Sequence, residues 1–256
     1  MKGPMNYENR IPQIDELKRE IDHFRPLSKN VLAKLKEFYR IGLTYSSNAL
    51  EGNSLTETET KIVLEDGITI GGKPLRDHYE AVGHSQAYDL LYQLVKEKSI
   101  NEQNICDLHR LFYVRINGSN AGQYRRENVI IAGAEFIPPH HSKVPALMKK
   151  FASDLQKLGK KHHPVEHAAI AHKDFVTIHP FIDGNGRTAR LLMNLILLQR
   201  GYVITIIPPI LRTDYINMLK KAQKKSGSDR PFIDFISCCV YESMNNYLRL
   251  LKTLEK

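Results

Sequence analysis

The residues best suited to chemistry lie together in one short segment, residues 179–190, which reads HPFIDGNGRTAR. His179 is the group in this segment that can accept a proton near neutral pH. Asp183 offers a hard carboxylate oxygen, the kind of ligand that Mg²⁺ takes when it is shared with phosphates. Arg187 and Arg190 are three residues apart and are therefore neighbours on one helix face. The combination points to chemistry on a phosphate group.

The Gly184–Asn185–Gly186 sequence supplies a backbone for the same chemistry. Glycine and asparagine adopt positive φ readily, so consecutive N–H groups can point into one concavity just before a helix. A helix N-terminus carries unpaired N–H groups and a partial positive charge, which suits a phosphate. Taken singly, His179 also fits a helix cap and Asp183 an Asx turn. Their co-occurrence with two arginines favours a phosphate-binding site.

Two helices are predicted to hold this turn in place. Upstream, residues 164–178 repeat apolar side chains at roughly helical spacing, with Pro164 in the first turn. Downstream, the chain is apolar on nearly every side from Leu191 to Leu198, and Gly201 follows where a helix would end. A helix that is apolar all round is usually a buried central one. We therefore predict a turn between two helices, the second of which runs through the core.

The segment is similar to the signature of the Fic family, HPFx(D/E)GNGRxxR, at every specified position. Fic proteins are mostly adenylyltransferases, which move AMP from ATP to a hydroxyl of a target protein and release pyrophosphate. The resemblance implies that His179 is the general base for the target hydroxyl. It also implies that Asp183 holds Mg²⁺ across the α- and β-phosphates. Phe181 is expected to lie in the core.

The same resemblance implies a set of ATP-binding residues: Gly184, Asn185, Gly186, Arg187, Arg190 and Tyr215. Asn185 and the glycine backbone would form an anion hole, and the two arginines would bind the distal phosphates. Tyr215 is assigned because Fic nucleotide pockets take adenine contacts from the region after the motif; ordinary packing is the alternative.

A second segment, SSNALEGN at 46–53, places a carboxylate where it needs a cation. Residues 28–50 are predicted to form an amphipathic helix. Ser47 and Glu51 share one face near its C-terminal end, where the helix dipole disfavours a negative charge. The segment resembles the inhibitory motif (S/T)xxxE(G/N) of the Fic family. That resemblance implies that Glu51 pairs with Arg190 and that the pair blocks the productive pose of the γ-phosphate.

The predicted fold class is mainly α: a Fic-type helical bundle around a buried central helix, with one β-hairpin flap. Further helices are predicted within 56–64, 74–97, 101–112, 142–158, 213–227 and 231–254. Residues 128–139 instead read NVIIAGAEFIPP and predict a hairpin with its turn at 132–135. In Fic proteins this flap lies over the active site and holds the target segment by strand pairing. A covering hairpin without function is the alternative.

The composition fits a single globular protein of 256 residues, 42% of them hydrophobic. We expect an N-terminal extension with the inhibitory helix over 1–60 and a Fic catalytic core over 61–256. The formal charge of +9 invites a nucleic-acid interpretation, but the lysines are scattered and no basic stripe interleaved with aromatic residues is present. The sequence has neither an apolar run of about 18 residues nor a signal peptide, so we expect a cytoplasmic protein without membrane contact.

The function predicted from these features is protein adenylyltransferase, with ATP as substrate and Mg²⁺ as cofactor. The target would present a Ser, Thr or Tyr hydroxyl at the hairpin over 129–138, the chain itself being one candidate, and Glu51 would inhibit the reaction. Alternatives are AMP removal by the same site, alone or beside transfer, a Doc-like kinase, and a nucleotide-sensing binding protein. Gly186 counts against the kinase, since Doc-like signatures typically carry Lys there, and His179 counts against mere binding. The family resemblance also implies a homodimer.

Overall fold

In the computed structural model, which describes residues 7–97, 99–131, 136–224 and 226–255, the chain is a bundle of α-helices. They are α1 (Ile11–Asp22), α2 (Lys29–Ala49), α3 (Glu57–Glu65), α4 (Leu75–Leu94), α5 (Glu102–Tyr113), α6 (Val144–Lys161), α7 (Pro164–Ile178), α8 (Asn185–Gln199), α9 (Arg212–Gln223) and α10 (Arg230–Leu254). Short 3₁₀ turns precede α6 (His141–Lys143) and α9 (Pro209–Leu211). No helix of the described ranges is both long enough and apolar enough to cross a membrane.

Helix α8 is the central helix, as its apolar sequence predicts. Every residue from Arg187 to Leu197 is buried, and α8 contacts α7, α4, α5 and α2. Helix α1, for which the sequence patterns gave no prediction, packs on α10. Ile14 of α1 and Leu251 of α10 belong to the same hydrophobic cluster as the α8 side chains. The first helix thus shares one core with the rest of the chain.

The predicted β-hairpin is not found among the described residues. Residues 128–131 and 136–140 have irregular backbone, and the predicted turn at 132–135 lies outside the described ranges. A two-stranded hairpin is marginally stable by itself, and the described part of the chain contains no strand to pair with it. Two side chains anchor the base of this segment: Arg125 donates hydrogen bonds to the carbonyls of Glu127 and Pro139, and Asn128 accepts one from the His141 N–H.

The first half of helix α4 does not bury its large apolar side chains. Tyr79 is 37% exposed. Polar side chains are buried instead, namely Asp77, His78, Glu80, His84 and Ser85. This reversal occurs because the first half of α4 contacts polar groups of several other segments: Glu80 lies beside Arg187 of α8, Asp77 accepts from Ser54, and His84 lies beside Thr44 of α2. Hydrophobic periodicity does not register such contacts.

Candidate active site

Residues 179–184 form the turn that leads from α7 into α8. His179 ends α7 with a left-handed backbone (φ 52°), which costs free energy for a non-glycine residue and is found preferentially at functional sites. Phe181 is fully buried, and its ring stacks on that of His109 with 3.7 Å between centroids. The Asn185 side chain holds the Phe181 backbone at both ends, accepting from its N–H (3.0 Å) and donating to its carbonyl (2.9 Å). The buried contacts of Phe181 and Asn185 therefore fix the conformation of the turn.

The imidazole of His179 is suited to accept a proton. Burial holds its pKa below the ordinary histidine value, and the charge of Arg125 adds to this shift. Arg125 also donates from Nε to the His179 carbonyl at 2.8 Å, which ties the residue to the segment after α5. Nδ1 lies 3.4 Å from the carbonyl of Val176. In the tautomer in which Nδ1 donates this contact, Nε2 is the basic atom.

The first turn of α8 has the features of an anion site. Gly184 precedes it with φ 78°, and α8 has no side-chain cap. Helix geometry leaves the first N–H groups without intrahelical acceptors, so they are available to an anion. A carboxylate already lies there: a Cβ atom at Gly186 would stand 2.2 Å from Oε1 of Glu51. Glycine at this position is what lets the Glu51 side chain lie over the helix.

Arg190 is the buried cation to which Glu51 binds. Its Nη2 donates to Oε1 of Glu51 at 2.7 Å, and its side chain is only 2% exposed. Ser47 holds the same guanidinium through two oxygens, since Oγ accepts from Nε at 2.9 Å and the carbonyl accepts from Nη2 at 2.8 Å. Burial alone would raise the pKa of Glu51, but Arg190 and Arg187 hold it below the ordinary value. Glu51 is thus an ionised carboxylate. It lies in the turn that follows α2, not within the last turn of that helix.

Tyr215 lies on the other side of Arg190 and is 6% exposed. Its hydroxyl is 3.4 Å from Nη1 of Arg190 and 3.0 Å from Nε2 of His172. These contacts make Tyr215 a support for the Arg190 guanidinium. Its predicted contact with the adenine stays a prediction.

Arg187 enters a second ionic cluster, which the sequence patterns did not reveal. Its Nη1 lies 2.9 Å from Oε1 of Glu80, and its guanidinium carbon is 4.2 Å from the centre of the Phe112 ring. Arg76 lies beside the same carboxylate, with Nε 3.1 Å from Oε1 of Glu80. Arg76 also donates from Nη2 to Oδ2 of Asp183 at 2.7 Å. Two arginines and two carboxylates thus surround the entrance to α8.

Asp183 fits the role of a magnesium ligand. Burial would raise its pKa, but Arg187, the Gly184 N–H and Arg76 hold it below the ordinary value. The ionised side chain is 40% exposed and lines an open cavity of about 190 Å³ with Glu51 and Arg187. Mg²⁺ in phosphate-transfer sites often takes one or two carboxylates and completes its shell with phosphates and water. The described residues contain no group of three or more His, Cys, Asp or Glu side chains that could hold a metal ion.

The structure brings most of the predicted site residues together and adds Glu80, Arg76 and Arg125. Glu80 gave no local signal, because a charged residue on a helix is usually exposed and its burial follows from how α4 packs against α8. Arg125 had no signal, since its contacts are to backbone carbonyls that are distant in sequence. Neither the ionic cluster nor the Arg125 anchor follows from local periodicity.

Comparison with known proteins places these features in a family. The model of the Fic/DOC family matches residues 99–197. "Protein adenylyltransferase Fic" of Drosophila mojavensis is 35% identical over 243 residues, which is 94% of this chain and 47% of that protein. The chain therefore spans about half the length of the curated relatives it matches.

Solved structures of Fic proteins also share the fold of this chain. A Fic domain containing signaling protein from Bacteroides thetaiotaomicron superimposes with a TM-score of 0.85 at 29% identity, covering 95% of this chain and 97% of that one. Fic-1 from C. elegans superimposes with a TM-score of 0.84 at 30% identity, covering 95% of this chain and 72% of that one.

Proposed function

The chain belongs to the Fic/DOC family, and we propose that it is a protein adenylyltransferase that moves AMP from ATP to a Ser, Thr or Tyr hydroxyl of a target protein. The observation that carries this proposal is a half-buried, neutral imidazole in the turn that leads directly into the uncapped N-terminus of α8. His179 provides the base, and the first turn of α8 provides the cradle for the phosphates.

In the proposed reaction, His179 takes the proton of the target hydroxyl as its oxygen attacks the α-phosphorus of ATP. The new bond joins this oxygen to phosphorus, the bond from the α-phosphorus to the bridging oxygen breaks, and pyrophosphate leaves. A base that is neutral at pH 7 is ready for this step, and such a group contributes about 10² to 10⁴-fold to the rate. The remaining catalysis is positioning and neutralisation of negative charge.

Charge neutralisation falls to the start of α8. Its unpaired N–H groups would bind phosphate oxygens, and the guanidinium groups of Arg187 and Arg190 would bind the distal phosphates. Asn185 acts in this scheme through the turn, because both ends of its amide are bonded to the Phe181 backbone. Mg²⁺, held by Asp183, would supply further neutralisation of the α- and β-phosphates when it is bound. Arg76, which donates to Oδ2 of Asp183 at 2.7 Å, would share that carboxylate with the ion.

We also propose that the structure is the inhibited form. The carboxylate of Glu51 lies over the N-terminal turn of α8 and bonds Arg190, so it stands where a phosphate would be bound. An anionic side chain in an anion site excludes the γ-phosphate both by volume and by charge. Ser47 keeps Arg190 in place whether or not Glu51 is bound.

The target is proposed to dock on the segment around residues 129–138. On either side of 132–135, Ile130 is 96% exposed and Ile137 is 89% exposed, so apolar side chains are available to a partner. The described backbone of this segment is not paired in a sheet, so an extended target segment could supply the partner strand. Main-chain pairing would fix the register of the target hydroxyl without reading its sequence closely.

AMP removal is the second candidate, favoured by one observation. Glu51 is ionised and close enough to His179 for its charge to raise the pKa of that imidazole. A carboxylate beside a base could orient a water molecule for hydrolysis of an adenylylated side chain. A Doc-like kinase is less well supported. Doc-like signatures typically carry Lys where this chain has Gly186, and a side chain at that position would collide with Glu51.

The deciding experiment is intact mass spectrometry after incubation with ATP and Mg²⁺, comparing wild type, Glu51→Gly and Glu51→Gly with His179→Ala. We expect an increase of one AMP unit on the chain or an added target, larger in Glu51→Gly and absent without His179. An increase of one phosphate would establish the kinase instead. If no variant gains mass, the same samples are incubated with an adenylylated protein, and loss of AMP would establish removal as the activity.

A further inference from the structure

Glu80 is a buried carboxylate with an unusually complete set of partners. Its side chain is 7% exposed, and Oε1 lies near two guanidinium groups, 2.9 Å from Arg187 and 3.1 Å from Arg76. The other oxygen, Oε2, accepts a hydrogen bond from Nδ2 of Asn53 at 2.9 Å. A buried charge is tolerated only when it is paired and hydrogen-bonded, and Glu80 meets both conditions.

Arg187 is much less well satisfied than its carboxylate partner. It is 3% exposed, yet its Nε and Nη1 have no well-aligned hydrogen-bond acceptor among the described residues. The contact from Nη1 to Glu80 is therefore an ion pair without a good hydrogen bond. Its remaining acid contact, from Nη2 to Oδ1 of Asp183, is long at 3.5 Å. A buried guanidinium with free N–H groups points to an acceptor that arrives with a ligand.

We propose that Glu80 is a positioning residue that holds Arg187 in the orientation needed to bind the distal phosphates of ATP. The inference rests on the proposed nucleotide chemistry of this site. The ring of Phe112 supports one face of the Arg187 guanidinium, and Glu80 fixes its direction by charge. Without that charge, Arg187 is drawn towards Asp183, where it would compete with the metal for the same carboxylate.

The bond from Glu80 to Asn53 extends this role to the inhibitory turn. Asn53 lies two residues after Glu51, and its amide also donates to the carbonyl of Asp77 at 3.1 Å. Loss of Glu80 would therefore loosen the turn that carries Glu51 as well as Arg187. Weaker binding of the phosphates by Arg187 would lower activity, whereas a looser inhibitory turn would raise it. The test is therefore made in a Glu51→Gly background, which lacks the inhibitory carboxylate.

The experiment measures nucleotide affinity by titration calorimetry for Glu51→Gly with and without Glu80→Gln. This substitution keeps the shape of the side chain and removes its charge. We expect the Kd of ATP to rise about tenfold, since a charge-assisted contact is misdirected, and the Kd of AMP to change less than twofold. AMP lacks the distal phosphates, so a merely structural effect of Glu80 would weaken both ligands alike and overturn the proposal.

A double-mutant cycle then asks whether Glu80 acts through Arg187. In an Arg187→Ala background, Glu80→Gln should have less than a twofold effect on the Kd of ATP. If the two effects multiply, Glu80 acts by another route. The cycle uses binding, so it decides the role of Glu80 even if no transfer of AMP is found.

Asp234 offers a matched control. It is a largely buried carboxylate (14% exposed) that pairs with Arg230 one turn earlier on α10 and accepts from Nδ2 of Asn9, as Glu80 pairs with Arg76 and accepts from Asn53. Asp234→Asn should therefore leave both Kd values unchanged. If Glu80→Gln does not fold, Glu80→Asp takes its place: it keeps the charge but withdraws it by one methylene. We then expect the Kd of ATP to rise while the Kd of AMP stays unchanged. An unchanged Kd of ATP would refute the proposal.

Discussion

Replacing Glu51 by glycine should raise the rate of AMP transfer about tenfold. The side chain makes one charge-assisted hydrogen bond to Arg190 at 2.7 Å and is 35% exposed. Hydrogen bonds to charged groups contribute about 1.5 to 3 kcal/mol, whereas fully exposed ion pairs contribute about 0.2 to 1 kcal/mol. Solvent screening of a side chain that is one-third exposed places the contact between these values, at about 1 to 2 kcal/mol. That free energy corresponds to a factor of about 5 to 30 in the population of the open site.

The geometry also predicts that the variant keeps a usable site. Ser47 continues to hold Arg190 through its hydroxyl and carbonyl oxygens, so the guanidinium stays in position when Glu51 is gone. Arg190 loses its counter-charge, however, and a buried cation without one destabilises the fold. Glu51→Gly should therefore melt at a lower temperature than wild type without ligand, and ATP should raise its melting temperature more.

The assay is the initial rate of AMP incorporation, followed by intact mass at ATP concentrations below the Kd of the wild type and at fixed Mg²⁺. Glu51→Gln serves as the graded control, because a neutral amide still fills the space over Gly186 but binds Arg190 less strongly. Its rate should fall between those of wild type and Glu51→Gly. Glu51→Ala separates the loss of the carboxylate from the backbone freedom of glycine and should match Glu51→Gly. A Glu51→Gly rate within twofold of wild type, in a preparation that transfers AMP, would refute the inhibitory role.

Three further predictions concern protonation. His179→Ala should lower the transfer rate at least about 100-fold while the Kd of ATP measured by calorimetry stays within about threefold; retained transfer would remove His179 from the mechanism. Because burial lowers the pKa of His179, the acid limb of the pH–rate profile should have its midpoint below about 6.5, and lower still in Glu51→Gly, since Glu51 raises that pKa; a midpoint above 6.5 contradicts the assignment. Burial also lowers the pKa of four other histidines, to about 3 for His84 and His172 and about 4 for His109 and His167. As the pH falls, these histidines bind protons in the unfolded chain before they do so in the folded chain. The free energy of unfolding measured in urea should therefore be smaller at pH 5 than at pH 7, by up to about 1.4 kcal/mol per pH unit for each histidine. Equal values at the two pH values would contradict this prediction.

The helices of the site could be predicted because their signals are local. The apolar run of α8 and the spacing along α7 predicted two helices joined by the turn at 179–184, and the structure has them. The family resemblance rested on residue types at fixed positions in the same stretch, which is also a local property. The hairpin prediction used equally local signals but depended on a pairing partner, and the described residues contain no strand.

By itself, the sequence determined which residues could do chemistry and that the helix after them is buried. It also indicated that Glu51 needs a cation, because a carboxylate is unfavourable near a helix C-terminus. Which atoms meet was decided only by the tertiary structure. Glu51 and Arg190 are 139 residues apart, and Glu80 and Arg187 lie on different helices that are not adjacent in the chain. Periodicity reports which face of a helix is buried, whereas such contacts depend on how α2, α4 and α8 pack against one another.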